Sequence, residues 1–199
     1  MKKKIVVLGC TGSIGSQTLD IARTFPDLFE VVGLCANKNT DKFQNLCKEF
    51  KCKSSLFSKD GIFGLKKLIE DSAADIVVNG IAGAAGLEPS VFVLENGIDL
   101  ALANKETVVM AWSLVKDISS KKSAKILPVD SEHSAIFNLT QSVGIDKISE
   151  IIITASGGPF RNYTKAELAN VTLEQALNHP TWNMGPKITV DSATLANKG

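Results

Sequence analysis

Histidine is scarce in this chain of 199 residues: there are two, His133 and His179. The four cysteines, Cys10, Cys35, Cys47 and Cys52, form no C-x-x-C pair and no zinc spacing. A Cys/His metal centre is therefore not expected, and the thiols read as reduced, as in a cytosolic-type compartment. Cys10 and Cys35 lie in strand-like contexts and read as small apolar residues. A net charge is missing as well. Twenty-two Lys and Arg stand against 21 Asp and Glu, a formal +1, which gives no global attraction to nucleic acid or an anionic membrane. The start, "MKKKIVVLG", offers only Ile5 to Leu8 as an apolar run, too short for a signal-peptide core or a membrane span. No internal repeat or low-complexity segment occurs. What is present is 44% hydrophobic residues, enough for one large domain or for one complete domain plus part of another.

Strand-like and helical periods alternate through the first two thirds. Strands are expected at Ile5 to Leu8, Val31 to Cys35, Ile76 to Val78, "IDLALAN" and "AKILPV". Helices are expected from Ser13 to about Thr24, Asp41 to Phe50, through "LKKLIEDS", from Leu87 to Glu95 and over "KETVVMAWSLVKDI". This βαβα rhythm predicts a mostly parallel sheet covered by helices. The pattern shifts after Asp130. "SAIFNLTQSV" has helical spacing, and the β-branched "KISEIIITASGGPF" reads as a strand followed by a glycine turn. One or two short helices fit Thr164 to Asn178, and "HPTWNMGPK" reads as a loop. The expected organisation is a first domain over residues 1–130 and the beginning of a second over 131–199.

"GCTGSIG", Gly9 to Gly15, follows the first strand in the form G-x-x-G-x-x-G. Such a turn lets backbone approach a pyrophosphate and frees N–H groups at a helix start. A Walker-type phosphate loop is excluded, because no Gly-Lys-Ser/Thr follows. Gly9, Gly12 and Gly15 permit the approach, and Thr11, Ser13 and Ile14 can supply N–H groups or hydroxyls. The second strand ends in Asn37, Lys38 and Asn39. NAD-preferring sites place an acid there, whereas Lys38 would attract a 2'-phosphate. NADP(H) is the expected choice; a solvated loop lysine is the plainer reading. "NGIAGAAGL" permits close approach by a ribose or nicotinamide, or simply a tight strand-to-helix crossing.

Asn104, Lys105 and Glu106 sit at another strand end, where open α/β sheets bind ligands. Asp130 and Glu132, two positions apart at a further strand end, suit a hard cation such as Mg²⁺ or Mn²⁺. His133 reads equally as support for that pair or as core. Ser156, Ser192, Asn197 and Lys198 carry groups that suit a phosphate, although each alone is more often a turn or cap residue. Trp182 and Met184 in a Pro/Gly-rich loop form either a packed plug or a lid over a ligand.

Together, "TGSIG", "LANKE", "PVDSEHSAIF", "TASGGPF", "HPTWNMG" and "KITVDSATLANKG" resemble the N-terminal half of the 1-deoxy-D-xylulose 5-phosphate reductoisomerases of the non-mevalonate isoprenoid pathway, across essentially the whole chain. The resemblance implies a Rossmann-like NADP-binding domain followed by the start of an α/β catalytic domain. It places NADPH on Thr11, Gly12, Ser13 and Ile14, with Asn37, Lys38, Asn39, Asn104 and Glu106 also at the cofactor. It places Mg²⁺ or Mn²⁺ on Asp130 and Glu132. A small sugar phosphate would meet Lys105, Ser131, Ser156 and His179, with its phosphate on Ser192, Asn197 and Lys198. Trp182 and Met184 would ride on a closing loop.

Cys10 stands where that family usually has serine. The family's further metal-binding glutamate, in "NKGLE", would follow Gly199, so the resemblance implies a longer parent, a homodimer, and little activity from these 199 residues alone. A bacterial-type cytoplasmic location is expected, with a plastid for a eukaryotic parent left open. Two rival readings are a simple NADP-dependent carbonyl reductase, which has no need of Asp130 and Glu132, and a non-catalytic nucleotide-binding module.

Overall fold

The computed structural model describes residues 1–197. The chain divides into two compact units, one of Met1–Asp130 and one from Ser131 onward.

The first unit contains β1 (Lys3–Leu8), α1 (Ser13–Thr24), β2 (Phe29–Ala36), α2 (Asp41–Phe50), β3 (Lys53–Leu56), α3 (Phe57–Ser72), β4 (Ile76–Asn79), α4 (Leu87–Glu95), β5 (Asp99–Leu102), α5 (Lys105–Lys122) and β6 (Ile126–Pro128). The strands form one sheet in the order β3-β2-β1-β4-β5-β6, and every pairing is parallel. Parallel strands need crossovers, and helices supply them on both faces. The side-chain alternation of β1 shows this. Val6 and Leu8 join Leu65, Ile69, Val93 and Leu100 in one core cluster. Ile5 and Val7 join Leu19, Leu34, Phe43 and Leu46 in another. Both faces are apolar, so the strands read as continuous hydrophobic runs.

Edge strand β3, "KSSL", was not expected from sequence. Ser55 is its one buried residue, and the pattern carries no apolar alternation. Helix α2 is fixed at its start by Thr40, whose side chain accepts from Phe43 N–H, and at its end by Lys51 in the left-handed region with φ 48°. Helix α5 is capped by Asn104.

The second unit contains α6 (Ser131–Val143), α7 (Lys165–Leu168), α8 (Leu173–Leu177) and α9 (Pro186–Thr194). Helices α7 and α8 both start with complete capping boxes, Thr164 with Glu167 and Thr172 with Gln175, which is why segments of four and five residues hold a helical turn. The expected strand through "ISEIIITA" does not form. β propensity describes fit to a paired surface, and no described strand lies beside this segment; Ile152 is 78% exposed. The expected loop "HPTWNMGPK" ends at Gly185, because Pro186 opens α9, a position where its fixed φ suits a helix.

Candidate functional site

The ends of the first unit's strands line up. Cα partners run from Cys35 to Leu8, Asn79, Leu102 and Pro128, which places five strand ends in one row. The residues that follow them, including Gly9, Asn104 and Asp130, therefore belong to one edge. Between β1 and β4 the chain order reverses, and open α/β sheets bind ligands at that switch point.

The Gly9–Gly15 turn sits there. Gly9 has φ 74°, and a Cβ on it would lie 2.9 Å from Gly80 O. A Cβ on Gly15 would overlap the backbone of Gly9 and Cys10. Both glycines are therefore demanded by close backbone approach. Gly9 and Cys10 N–H both donate to Cys35 O, at 2.9 and 3.0 Å, anchoring the turn to β2. Gly12 is the N-cap of α1, and no side chain caps this helix. The first N–H groups of a helix lack intrahelical partners and favour an anion. The cradle therefore fits a dinucleotide pyrophosphate, with Ser13 and Ile14 N–H at its mouth. Asn37, Lys38 and Asn39 are exposed directly after β2.

Two asparagines shape the neighbouring loop. Asn79 is fully buried; its Nδ2 donates to Gly86 O and Ser90 Oγ (2.9 and 2.8 Å), and its Oδ1 accepts from Ile81 N–H at 3.1 Å. Asn104 Nδ2 donates to Ile81 O and, at 2.7 Å, to Gly83 O. Its Oδ1 accepts from Thr107 N–H and Thr107 Oγ1–H, each at 2.8 Å. Four bonds use the whole amide, so the Asn104 side chain shapes the loop after β4 without a donor to spare. Lys105 opens α5 half-buried, where a helix start disfavours a cation. Glu106, also half-buried, follows it.

In the second unit, Ser156 Oγ lies 3.1 Å from His179 Nε2 and 3.4 Å from Ser192 Oγ. His179 Nδ1 accepts from Thr181 N–H and Trp182 N–H, at 3.1 and 2.9 Å. The neutral ring therefore carries its proton on Nε2 and donates to Ser156. A histidine in that tautomer cannot deprotonate the serine, so this is no nucleophilic serine–histidine pair. It is an array of donors that suits an anion. Gly158, φ 65°, makes the array possible: a Cβ there would lie 2.6 Å from Ser192 O. His179 and Ser192 are buried. Asn197 Oδ1 is buried without a hydrogen-bond partner. Trp182 is 60% exposed and Met184 half-buried, so the tryptophan is not a core plug.

Ser131 is exposed at the start of α6, and its hydroxyl donates to Glu132 at 2.8 Å. Asp130 follows β6. Their hard oxygens suit Mg²⁺ or Mn²⁺, although no group of three His, Cys, Asp or Glu that could hold a metal occurs among the described residues. Lys198 lies outside the described residues. Lys42 went unremarked in the sequence; its Nζ donates to Thr11 O and Ser16 Oγ (2.9 and 2.7 Å). Only proximity across 31 and 26 residues reveals it.

A six-stranded parallel sheet whose switch point holds a glycine cradle and an uncapped helix start defines a dinucleotide-binding α/β protein of Rossmann type. Comparison narrows the class. The family model for 1-deoxy-D-xylulose 5-phosphate reductoisomerase matches residues 5–62 and 55–112, and the model for the C-terminal domain of the same enzyme matches 126–199. The chain belongs to the 1-deoxy-D-xylulose 5-phosphate reductoisomerase family. It is 49% identical to the reductoisomerase of Treponema denticola, over 99% of this chain and 54% of that protein. It is 45% identical to that of Clostridium perfringens, over 99% and 57%. A solved DOX-P reductoisomerase in complex with NADPH, fosmidomycin and magnesium superposes with a TM-score of 0.84 at 35% identity, covering 98% of this chain and 55% of that one. The Zymomonas mobilis enzyme in complex with NADPH gives 0.81 at 36%, covering 100% and 56%. The chain spans about half the length of the curated relatives it matches.

Proposed function

We propose that this chain carries the NADPH-binding part and a portion of the catalytic part of a reductoisomerase that converts 1-deoxy-D-xylulose 5-phosphate to 2-C-methyl-D-erythritol 4-phosphate. The observation that carries the reading is the family match in both units, on the dinucleotide cradle and on the donor array alike. When bound, NADPH supplies a hydride, and a divalent cation polarises neighbouring substrate oxygens.

The chain's own residues bind and orient. Ser13 and Ile14 N–H would receive the pyrophosphate, and Lys38 the 2'-phosphate; Asn37, Asn39 and Glu106 border the same cofactor edge. Asn104 holds the loop beside the cofactor. Asp130 and Glu132 would hold the cation, with Ser131 fixing one Glu132 oxygen. Ser156, donated to by His179, turns its own hydroxyl proton outward to the sugar phosphate. Ser192, Asn197 and Lys198 would complete the phosphate site, Asn197 through the donors of its Nδ2. Lys105 would meet the sugar. Trp182 and Met184 would exclude water on closure of their loop. The four free cysteines support a reducing compartment such as the cytoplasm, and a homodimer is the proposed assembly for a protein of the relatives' length.

The test is twofold. NADPH is titrated into the 199-residue chain by fluorescence, with saturable binding expected. NADPH oxidation with 1-deoxy-D-xylulose 5-phosphate and Mg²⁺ is then followed in a protein of the relatives' length that contains this chain. Product is identified by mass and NMR. Turnover that survives chelation of all divalent metal would sink the role of Asp130 and Glu132. Absence of any dinucleotide binding would sink the whole reading.

A further inference from the structure

We propose that Lys42 is a positioning residue of the dinucleotide site: its ammonium braces the two peptide planes that aim the anion-binding amides at the start of α1. The inference rests on the reading of the Gly9–Gly15 turn as a dinucleotide cradle. Lys42 is the second residue of α2, one crossover away from that turn. Solvated lysines on a helix surface usually point into water, and isolated surface contacts of this kind add little to stability. Lys42 instead makes two directed bonds, at 2.9 Å to Thr11 O and 2.7 Å to Ser16 Oγ.

The first bond closes a clamp. The peptide unit joining Thr11 to Gly12 has its N–H on Gly9 O at 3.0 Å and its carbonyl on Lys42. Both ends of that plane are held. The second bond begins a relay. Ser16 Oγ accepts from Lys42 and donates to Gly12 O at 2.7 Å, while Ser16 N–H donates to the same carbonyl at 2.9 Å. The other end of that peptide unit is Ser13 N–H, the first amide of α1. A cation at the head of a hydrogen-bond chain polarises every member, so the Ser13 amide becomes a stronger donor and keeps its direction. Gly12 is both the N-cap and the least restricted residue of the helix start, so bracing has most effect there. Lys42 thus supplies preorganisation, whereas Lys38 would supply charge to a 2'-phosphate.

The two roles make opposite predictions for cofactor discrimination. A residue acting on the pyrophosphate amides affects NADPH and NADH alike; one acting on the 2'-phosphate affects NADPH alone. The 199-residue wild-type chain and the variants Lys42→Met, Lys42→Arg, Ser16→Ala and Lys42→Met/Ser16→Ala are titrated with NADPH and NADH. Melting temperatures are recorded without ligand. For Lys42→Met, both dissociation constants are expected to rise roughly five- to tenfold, the lower range for a charge-assisted contact near the surface, with the ligand-free melting temperature unchanged. Lys42→Arg should restore most of the affinity. The double variant should lose less than the product of the single losses, because one relay carries both. Unchanged affinities in Lys42→Met beside a binding wild type would overturn the proposal and leave the cradle intact. A loss confined to NADPH would overturn it in favour of direct 2'-phosphate contact. A wild-type chain that binds neither cofactor would overturn the underlying reading instead.

Discussion

The two units bury different things. In the first, Val6, Leu8, Leu19, Leu34, Leu65 and Leu100 are all fully buried, and every buried hydrophobic side chain among the described residues precedes Asp130. In the second, the buried side chains are His179, Thr189 and Ser192, and α6 has no buried residue. Burial of apolar area is the main favourable term in folding, about 25 cal/mol per Å². The first unit therefore holds itself together by that term, while the side chains buried in the second are polar.

That contrast breaks most visibly at a core leucine. Leu100→Ala, fully buried, should cost about 2–5 kcal/mol of the first unit's stability, read as a lower denaturation midpoint in urea. Ile152→Ala, at 78% exposure, should stay within about 0.5 kcal/mol. Equal costs at both positions would show that the second unit hides a core of its own.

The dry interior also governs two thiols. Burial, chiefly by desolvation, pushes Cys10 and Cys35 from 9.0 up to about 12. At pH 9 the folded thiolate fraction should fall to on the order of a thousandth, against about one half in the unfolded chain. Iodoacetamide at that pH should therefore spare both thiols until denaturant is added, as read by peptide mass mapping. The linkage has a definite sign. Between pH 9 and about 12 the folded chain retains protons that the unfolded chain has released. The associated stability is thus complete below pH 9 and is lost as pH rises toward about 12. Rapid alkylation in the native chain would mean that the first unit opens readily.

A smaller effect separates charge from packing within the first unit. Lys38→Ala should weaken NADPH binding by roughly 1–3 kcal/mol more than NADH binding, the scale of a charge-assisted contact. Equal losses for both cofactors, by titration, would remove Lys38 from the 2'-phosphate. The smallest expected change in stability is at Trp182. Trp182→Ala should move the melting temperature by less than the equivalent of about 0.5 kcal/mol, while lowering kcat/KM in a protein of the relatives' length. A large thermal loss with normal kinetics would return Trp182 to the core.

The same contrast explains what could be read in advance. "IVVL" and "DLAL" announced β1 and β5 because strands buried on both faces are apolar without interruption. "KSSL" concealed β3, since an edge strand with one buried residue needs no such run. Ile151 to Ile153 misled for the opposite reason: the propensity is present, and no partner strand lies beside them among the described residues. At the site, the Gly9–Gly15 turn was legible because Gly15 packs on the backbone of Gly9 and Cys10 a few residues away. Lys42 was not, because a lysine on a helix acquires meaning only when a distant turn folds beneath it. His179 could be named from its motif, yet the nitrogen that carries its proton depends on two backbone N–H groups in the loop that follows.

Asn104 sets a limit on how this protein can vary. Its amide gives two protons at one end and takes two at the other, to partners 21 and 23 residues upstream and three downstream. Aspartate matches the shape and the accepting end but has no protons for Ile81 O and Gly83 O. Leucine matches the volume and offers neither. Glutamine has the right chemistry one methylene too far out, and Gly86 already packs against the existing amide so closely that a Cβ there would lie 2.8 Å from Asn104 Cγ. The position accepts a vocabulary of one word. Any drift there severs the loop after β4 from the start of α5.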